Sequence, residues 1–162
     1  MPTIRLETQI YAPIQYCFDL ARDVDVHRES AMQTHERAVA GITTGLLEQG
    51  DVVTWEGTHF GMRQHLTVRI TEFEKPRRFV DEMVRGAFRE LRHVHDFSSC
   101  QGGTIMIDTF EFKSPFGYLG SLFDALVLTR YFRTFLYRRN MYLKEVAEKK
   151  HLASTQGVID HA

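Results

Sequence analysis

Apolar and polar side chains alternate at the start of the chain, where Ile4, Leu6 and Ile10 are separated by charged or polar neighbours. Because successive side chains of a β-strand point to opposite faces of a sheet, this alternation predicts a half-buried strand. The next segment, APIQYCFDLARDV, has a proline suited to a first helical turn and apolar residues at helical spacing, so it predicts a helix. A second short helix is predicted around Val26–Met32.

The alternating pattern returns in a series of further segments between residues 37 and 113, separated by Gly, Pro and polar turn signals at spacings of about ten residues. The segments are RAVAGIT, DVVTWEGTHF, QHLTVRITEF, FVDEMV, FRELRHVHDFSS and TIMIDTFEFK. Short strands joined by such turns favour an antiparallel meander, in which each strand pairs with the next. Together with the first strand, they predict a sheet of about seven strands.

The sequence SPFGYLG ends the predicted sheet, because proline and closely spaced glycines do not continue a strand. After it, apolar residues recur near helical spacing and predict a long amphipathic helix from about Ser121 to Lys149. Residues 1–150 therefore form one predicted domain, which is long enough to enclose a substantial core. Residues 151–162 are predicted to be a disordered tail.

Composition limits the classes of partner and the compartment. Hydrophobic residues make up 43% and charged residues 25% of the chain, and the formal net charge is −1. This balance is typical of a globular domain and lacks the positive field that nucleic-acid binding uses. No stretch approaches the roughly 20 apolar residues of a membrane span, so no stable membrane insertion is expected. Two cysteines give no disulfide framework and the N-terminus has no recognisable signal peptide, so the expected compartment is the cytoplasm.

The order of these segments resembles the START-like helix-grip (SRPBCC) superfamily, which includes polyketide cyclase/dehydrase-like and lipid-transport domains. The resemblance is carried by IYAPIQYCFDLARDV, GDVVTWEGTHFGMRQHLTVRITEFEKPRRFVDEMVRGAF, RHVHDF with GGTIMIDTFEFKSPFGYLG, and YFRTFLYRRNMYLKEVAE. It implies an α+β helix-grip fold, in which a curved antiparallel sheet wraps around the long C-terminal helix and leaves a cavity between them. It also implies a START-like ligand-binding domain, but the superfamily includes binders, transporters and cyclases, so the fold leaves the function open.

Strand parity predicts which side chains face this cavity. In FRELRHVHDF the odd positions are less charged than the even ones, so His93 and His95 are predicted to point inward. In TIMIDTFEF the aromatic face, which contains Asp108, is the better candidate for the inner side. A tight turn over the QG pair would place His95 opposite Asp108, and a longer loop would place His93 there. Cross-strand neighbours have Cβ atoms about 4.5–5.5 Å apart, so both registers bring the aspartate beside an imidazole.

The other residues predicted to line the cavity are apolar or aromatic, apart from a third histidine and a second carboxylate. They are Trp55, His59, Leu66, Val68, Asp81, Met83, Leu91, Phe97, Met106, Phe110, Phe116, Leu122, Phe123 and Leu126. Apolar walls with a few titratable groups are the usual composition of a small-molecule site. On the outer face, Ile105 and Ile107 could belong to a homodimer surface.

Three roles for His93, His95 and Asp108 are open from the sequence. They can form a structural hydrogen-bond network, orient the polar group of a ligand, or act as a general base and its carboxylate in a cyclase or dehydratase. We favour binding of a hydrophobic small molecule, either lipid-like or aromatic and polyketide-like, and keep the cyclase/dehydratase role as the alternative. No cofactor and no metal are expected, because an H-x-H pair alone has low specificity and the terminal helix replaces strands that a cupin-like barrel requires.

Overall fold

Seven antiparallel strands form one sheet in the computed structural model, which describes residues 1–159. The strands are β1 (Thr3–Ile10), β2 (Arg37–Gly41), β3 (Val52–His59), β4 (Met62–Glu74), β5 (Arg78–Arg85), β6 (Glu90–Cys100) and β7 (Gly103–Lys113). Their order across the sheet is β1-β7-β6-β5-β4-β3-β2, so β2 to β7 form the predicted meander and β1 pairs with the last strand. The predicted α+β helix-grip arrangement is confirmed.

Two helices connect the outer strands β1 and β2. These helices are α1 (Ile14–Ala21) and α2 (Val24–Ser30), and one turn of 3-10 helix (Met32–Thr34) follows them. Asp23 caps α2, because its carboxylate accepts hydrogen bonds from the first backbone amides of the helix. The chain therefore crosses from one edge of the sheet to the other on a helical layer that packs on the C-terminal helix.

The C-terminal helix has three parts, α3 (Gly117–Phe123), a π-helical turn (Asp124–Leu128) and α4 (Thr129–Ile159). The sequence predicted one helix from about Ser121 to Lys149, so the structure differs at both ends and in the middle. Periodicity does not show the π turn, because apolar residues continue through it near helical spacing.

Asp124, in the π-helical turn, holds this part of the helix to the sheet. Its buried carboxylate accepts hydrogen bonds from the backbone amide and the hydroxyl of Ser114, at the end of β7. Gly120 also packs directly on Ser114, where a side chain would meet the Ser114 Cβ at 3.1 Å. These contacts hold α3 against the end of the sheet and decide which face of α3 is exposed.

Part of the segment 151–162, which the sequence predicted to be a disordered tail, is described by the structure. Helix α4 continues to Ile159, so residues 151–159 are helical. Residues 160–162 lie outside the described residues.

The core consists of two apolar clusters between the sheet and the helices. In the first cluster the ring of Phe18 on α1 makes edge-on contacts with Phe73, Phe79 and Phe97, at centroid distances of 5.5–5.6 Å. The second cluster joins β7 to α4, and Leu66 packs against both. Among the described residues, no helix has the length and apolarity that crossing a membrane would require.

Candidate functional site

A cavity of about 510 Å³ lies between the inner face of the sheet and the helices. Strands β3 to β7 provide one wall, and the opposite wall comes from the end of α1, from α2 and from the first turns of α4. Most of the lining is apolar or aromatic. The sheet positions these side chains because alternate residues of each strand face inward.

Eleven of the residues predicted from the sequence to face a cavity line this one. They are Trp55, His59, Leu66, Val68, Asp81, Leu91, His93, His95, Phe110, Phe116 and Phe123. Strand parity located most of them, since the predicted inner face of β3 to β7 is the observed inner face.

The structure places six predicted residues elsewhere. Phe97 and Met106 point inward but are covered by α1 and belong to the solid core, and Met83 packs against the second apolar cluster. Leu122 and Leu126 are 58% and 68% exposed, because Gly120, Asp124 and Leu128 form the inner face of that helix. The sixth residue, Asp108, lies behind the cavity wall.

Asp108 is the centre of a buried cluster on the inner face of β5, β6 and β7, which we call the Asp108 cluster. His93 donates from Nε2 to Asp108 Oδ1 at 3.1 Å, and His95 Nδ1 lies 2.7 Å from the same oxygen. Asn140 on α4 donates to the other carboxylate oxygen at 2.7 Å. The tight turn at Gln101 sets the register that pairs His95 with Asp108, one of the two predicted registers.

The Asp108 cluster reaches the cavity through Asp81 and the two imidazoles. His95 donates from Nε2 to Asp81 Oδ1 at 3.1 Å, so its two ring nitrogens contact two carboxylates. The two imidazole rings lie 3.9 Å apart between centroids, and His95 stacks on Phe79 at 4.2 Å. Asp108 is only 2% exposed and does not line the cavity, whereas Asp81, His93 and His95 do.

The two imidazoles have opposite pKa shifts. Burial, with the nearby charge of His95, lowers the pKa of His93 to about 4. Burial opposes protonation of His95 too, but hydrogen bonds and charges from Asp108 and Asp81 outweigh it and raise its pKa. Burial alone would raise the pKa of Asp108, yet the hydrogen bonds from both histidines hold it well below its ordinary value. The arrangement therefore favours one imidazolium between two carboxylates, beside a neutral imidazole.

A second cluster of histidines lies on the same cavity wall, nearer β2 and α2, and we call it the Glu36 cluster. Its carboxylate follows the 3-10 turn; His27 Nε2 lies 2.8 Å from one oxygen and His59 Nε2 lies 3.3 Å from the other. The second ring nitrogen of His59 is 2.8 Å from the hydroxyl of Tyr131 on α4. His27 also stacks on Trp55 at 3.9 Å.

Glu36 is ionised in this setting, and its neighbours explain why. Burial alone would raise the pKa of Glu36, but hydrogen bonds from His27 and His59 lower it to about 2. Burial and the charge of Arg139 lower the pKa of His27, against the pull of Glu36. Burial, with the charge of Glu36, raises the pKa of Tyr131. The cluster therefore combines one carboxylate, uncharged His27 and a phenol with a strongly held proton.

The open end of the cavity is aromatic. Phe60 occupies a left-handed backbone conformation (φ +53°) in the two-residue turn between β3 and β4, which is uncommon for an aromatic residue. Its ring lies 4.5 Å from Tyr131 and 6.5 Å from Phe123. Phe60 and Phe123 line the cavity and are about half exposed, so we call these three rings the rim of the cavity.

Sequence reasoning missed several polar residues of this cavity, among them His27, Glu36 and Arg139, and it also missed Tyr131, which is hydrogen-bonded to His59. Of the Glu36 cluster it located only His59, from the alternation of β3. These four residues lie on α2, after the 3-10 turn and on α4, where no strand parity applies. A signal was present in the sequence, since helical spacing puts Tyr131 and Arg139 near the apolar stripe of the long helix.

No family model matches the sequence, and no curated protein does so either. Solved structures match nearly the whole chain. Protein TTHA0849 of Thermus thermophilus is 18% identical, with a TM-score of 0.70 over 90% of this chain and 99% of that one. Protein CV1439 of Chromobacterium violaceum is 14% identical, with a TM-score of 0.68 over 90% and 96% of the two chains. Major latex-like protein 151 of Panax ginseng is 10% identical, with a TM-score of 0.67 over 90% and 97%. At such identities the likeness shows the fold alone, and the fold of this chain is the helix-grip fold.

Proposed function

We propose that this protein binds a hydrophobic small molecule in the cavity between the sheet and α4. The observation that carries the proposal is the cavity of about 510 Å³ with mostly apolar and aromatic walls. Small-molecule sites have volumes of about 300–1,000 Å³ and place a few polar groups among apolar ones. The cavity has this size and composition, and its polar groups are concentrated in the Asp108 and Glu36 clusters.

Arg139 suggests the chemistry of the polar end of the ligand. It lines the cavity from α4, and none of the described residues forms a hydrogen bond or an ion pair with its guanidinium. A guanidinium is well suited to bind a carboxylate in a fork of two hydrogen bonds. We therefore infer an amphiphilic ligand, lipid-like or aromatic, whose body packs on the apolar walls and whose acidic group pairs with Arg139.

We also propose that the protein is located in the cytoplasm, as the sequence suggested. Cys17 and Cys100 are both free thiols, which suits a reducing environment.

The alternative, a cyclase or dehydratase that uses His93 or His95 as general base, has less support. A base must have a ring nitrogen that can accept a proton from a bound molecule. Both ring nitrogens of His95 contact carboxylates, and the pKa of His93 is lowered to about 4, so His93 is a weak base at neutral pH. Binding, rather than proton transfer, is the function that these contacts favour.

An experiment on Arg139 tests the proposal together with the polar end of the ligand. We expect a fluorescent polyene fatty acid, cis-parinaric acid, to bind with 1:1 stoichiometry. Arg139→Gln should weaken its binding roughly tenfold or more, since a charged hydrogen bond is lost. The methyl ester of the same acid should bind the variant and the unmodified protein equally well.

Arg133→Gln is the matched control, because Arg133 is an exposed residue of the same helix that does not line the cavity. It should leave the affinity for the acid unchanged. Equal losses in both variants would contradict the role of Arg139. Failure of both acid and ester to bind the unmodified protein would contradict a lipid-like ligand, and native mass spectrometry of gently purified protein would then test whether any other apolar molecule is retained.

A further inference from the structure

Asp81, His93 and His95 bring three metal-binding side chains together on the cavity wall. Each offers one ligand atom, and these atoms all lie within 4.8 Å of one another. His95 Nε2 and Asp81 Oδ1 are already only 3.1 Å apart. Ligands of one tetrahedral zinc ion lie about 3.3 Å apart, because zinc bonds to nitrogen and oxygen measure about 2.0–2.2 Å. The pair that is farthest apart would have to close by up to about 1.5 Å to reach this separation, and Asp81 is the least buried of the three residues.

The ring nitrogens that face away from Asp108 are suitable ligands. Asp108 contacts His93 through Nε2 and His95 through Nδ1. His93 Nδ1 and His95 Nε2 are therefore the nitrogens left for a ligand. His93 is 3% exposed, and its Nδ1 has no hydrogen-bond partner among the described residues. A nearly buried imidazole on a cavity wall thus presents an unpaired nitrogen to that cavity.

Asp108 has the position of an orienting residue behind a metal site. Histidine ligands of metals almost always donate their other ring N–H to a carboxylate, a carbonyl or a water molecule, which fixes the tautomer and the ring orientation. Here one carboxylate holds both rings, and Asn140 holds that carboxylate from α4 at 2.7 Å.

The charges balance as well. Asp81 and Asp108 carry one negative charge each, and both imidazoles would be uncharged once His95 gave up its extra proton to a metal. A divalent cation would leave this cluster neutral, and it would take the place of the proton that His95 donates to Asp81. The remaining coordination position would face the cavity, where a water molecule or a polar group of a ligand could occupy it.

We propose that Asp81, His93 and His95 bind a divalent first-row transition-metal ion of the zinc class, with Asp108 as the positioning residue for both imidazoles. The sequence alone predicted no metal, because an H-x-H pair is a weak signal. The structure adds Asp81 from the neighbouring strand as the third ligand and places Asp108 behind the two rings. This site goes beyond the proposed binding of an apolar molecule, and it can be tested without one.

The test uses the full-length protein, stripped of metal with a chelator that is then removed. Zn²⁺ is titrated by isothermal calorimetry, and Co²⁺ is followed by its visible absorption, whose intensity reports low coordination number. We expect one ion per chain and a spectrum typical of four or five ligands. Asp81→Asn, an isosteric change at a partly exposed position, should weaken binding by roughly 100-fold or more, and Asp108→Asn by about 10–100-fold.

The Glu36 cluster supplies the matched control, since it also places two histidines on one carboxylate in the same cavity. A His27→Gln, His59→Gln double variant should bind Zn²⁺ as tightly as the unmodified protein. The same affinity in Asp81→Asn, a loss of affinity only in the control variant, or no 1:1 binding of Zn²⁺ or Co²⁺ would overturn the proposal. The Asp108 cluster and Asp81 would then form a hydrogen-bond network without a metal.

Discussion

The Asp108 cluster and the Glu36 cluster both hold two imidazoles against one carboxylate, but the fold assembles them in different ways. Asp108, His93 and His95 lie on adjacent central strands, where backbone pairing fixes their positions. The Glu36 cluster draws its members from α2, the segment before β2, β3 and α4. The geometry of the Asp108 cluster depends on strand register, and the geometry of the Glu36 cluster depends on how the helices pack on the sheet.

The two clusters also differ in how completely their carboxylates are enclosed by other groups. Asp108 is fully enclosed, and both of its oxygens are occupied by groups that would be left without partners in the interior. Glu36 lies closer to the edge of the sheet and lines the cavity directly. Removing one partner of a buried ion pair is costly because the other partner stays buried and unpaired. The comparison therefore predicts a graded series of effects.

The largest effect is expected for Asp108→Asn. The asparagine amide keeps one oxygen acceptor but presents an N–H in place of the other, so either the imidazoles or the Asn140 amide would face a donor, and His95 would lose the charge of one of its two carboxylates. The free energy of unfolding should therefore fall by about 3–5 kcal/mol. Urea denaturation at neutral pH measures this loss.

Asp96→Asn on the same strand pair is the control for that change. Asp96 pairs with Arg78 on the outer, partly exposed face, so its loss should cost no more than about 1 kcal/mol. Equal costs for the two variants would contradict the view that register buries Asp108 as an indispensable acceptor.

A somewhat smaller effect is expected for Glu36→Gln, and it should depend on pH. The pKa of Glu36 is lowered from 4.5 to about 2, so its stabilising contribution is fully present above pH 4.5 and is lost as the pH falls towards 2. A shift of this size corresponds to a loss on the order of 3 kcal/mol at neutral pH. The groups that face the carboxylate are His27 from α2, His59 from β3 and, through His59, Tyr131 from α4.

Urea denaturation at a series of pH values checks this prediction. The unmodified protein should lose stability between pH 4.5 and 2, and Glu36→Gln should lose less over the same interval. Parallel curves for the two proteins would mean that Glu36 titrates normally, and the Glu36 cluster would then not hold its carboxylate ionised.

The smallest effect is expected for Tyr131→Phe, which removes one hydrogen bond to His59 and keeps the aromatic ring at the rim. The free energy of unfolding should fall by about 0.5–1.5 kcal/mol. Tyr118→Phe serves as the control, because Tyr118 is almost fully exposed and should cost nothing measurable. A cost for Tyr131→Phe as large as that for Glu36→Gln would reverse the order and show that the phenol, not the carboxylate, holds the second cluster together.

The difference between the clusters explains how far the sequence could predict the site. Alternation within β6 and β7, with the tight turn between them, is local information, and it was enough to place His93, His95 and Asp108 on one inner face. The order of strands and helices follows from the same local patterns, and the helix-grip fold is what the resemblance of that order to the START-like superfamily implied. Asp81 was predicted as a second inward carboxylate on the same ground.

The other contacts of the site depend on how the helices pack on the sheet, and no local pattern in the sequence shows this packing. Whether Glu36 meets His27 and Tyr131 is set by where α2 and α4 come to rest on the sheet. The exposed positions of Leu122 and Leu126 likewise follow from the contact between Asp124 and Ser114, which joins the helix to the end of β7. Periodicity identified an amphipathic helix but could not orient its first two turns.

The measurement that tests the central claim most directly is the binding of an apolar fluorescent probe to a variant with a filled cavity. Leu66 lines the cavity and packs against both core clusters, so Leu66→Trp places an indole in the space proposed for the ligand. Val84→Trp adds the same side chain at a position that is 56% exposed and outside the cavity. Binding is measured by the emission of bound 1-anilinonaphthalene-8-sulfonate, and urea denaturation verifies that each variant is folded. Leu66→Trp should weaken probe binding by more than about tenfold, and Val84→Trp should not change it. Unchanged binding in a folded Leu66→Trp protein would contradict the claim that this cavity is where an apolar molecule binds.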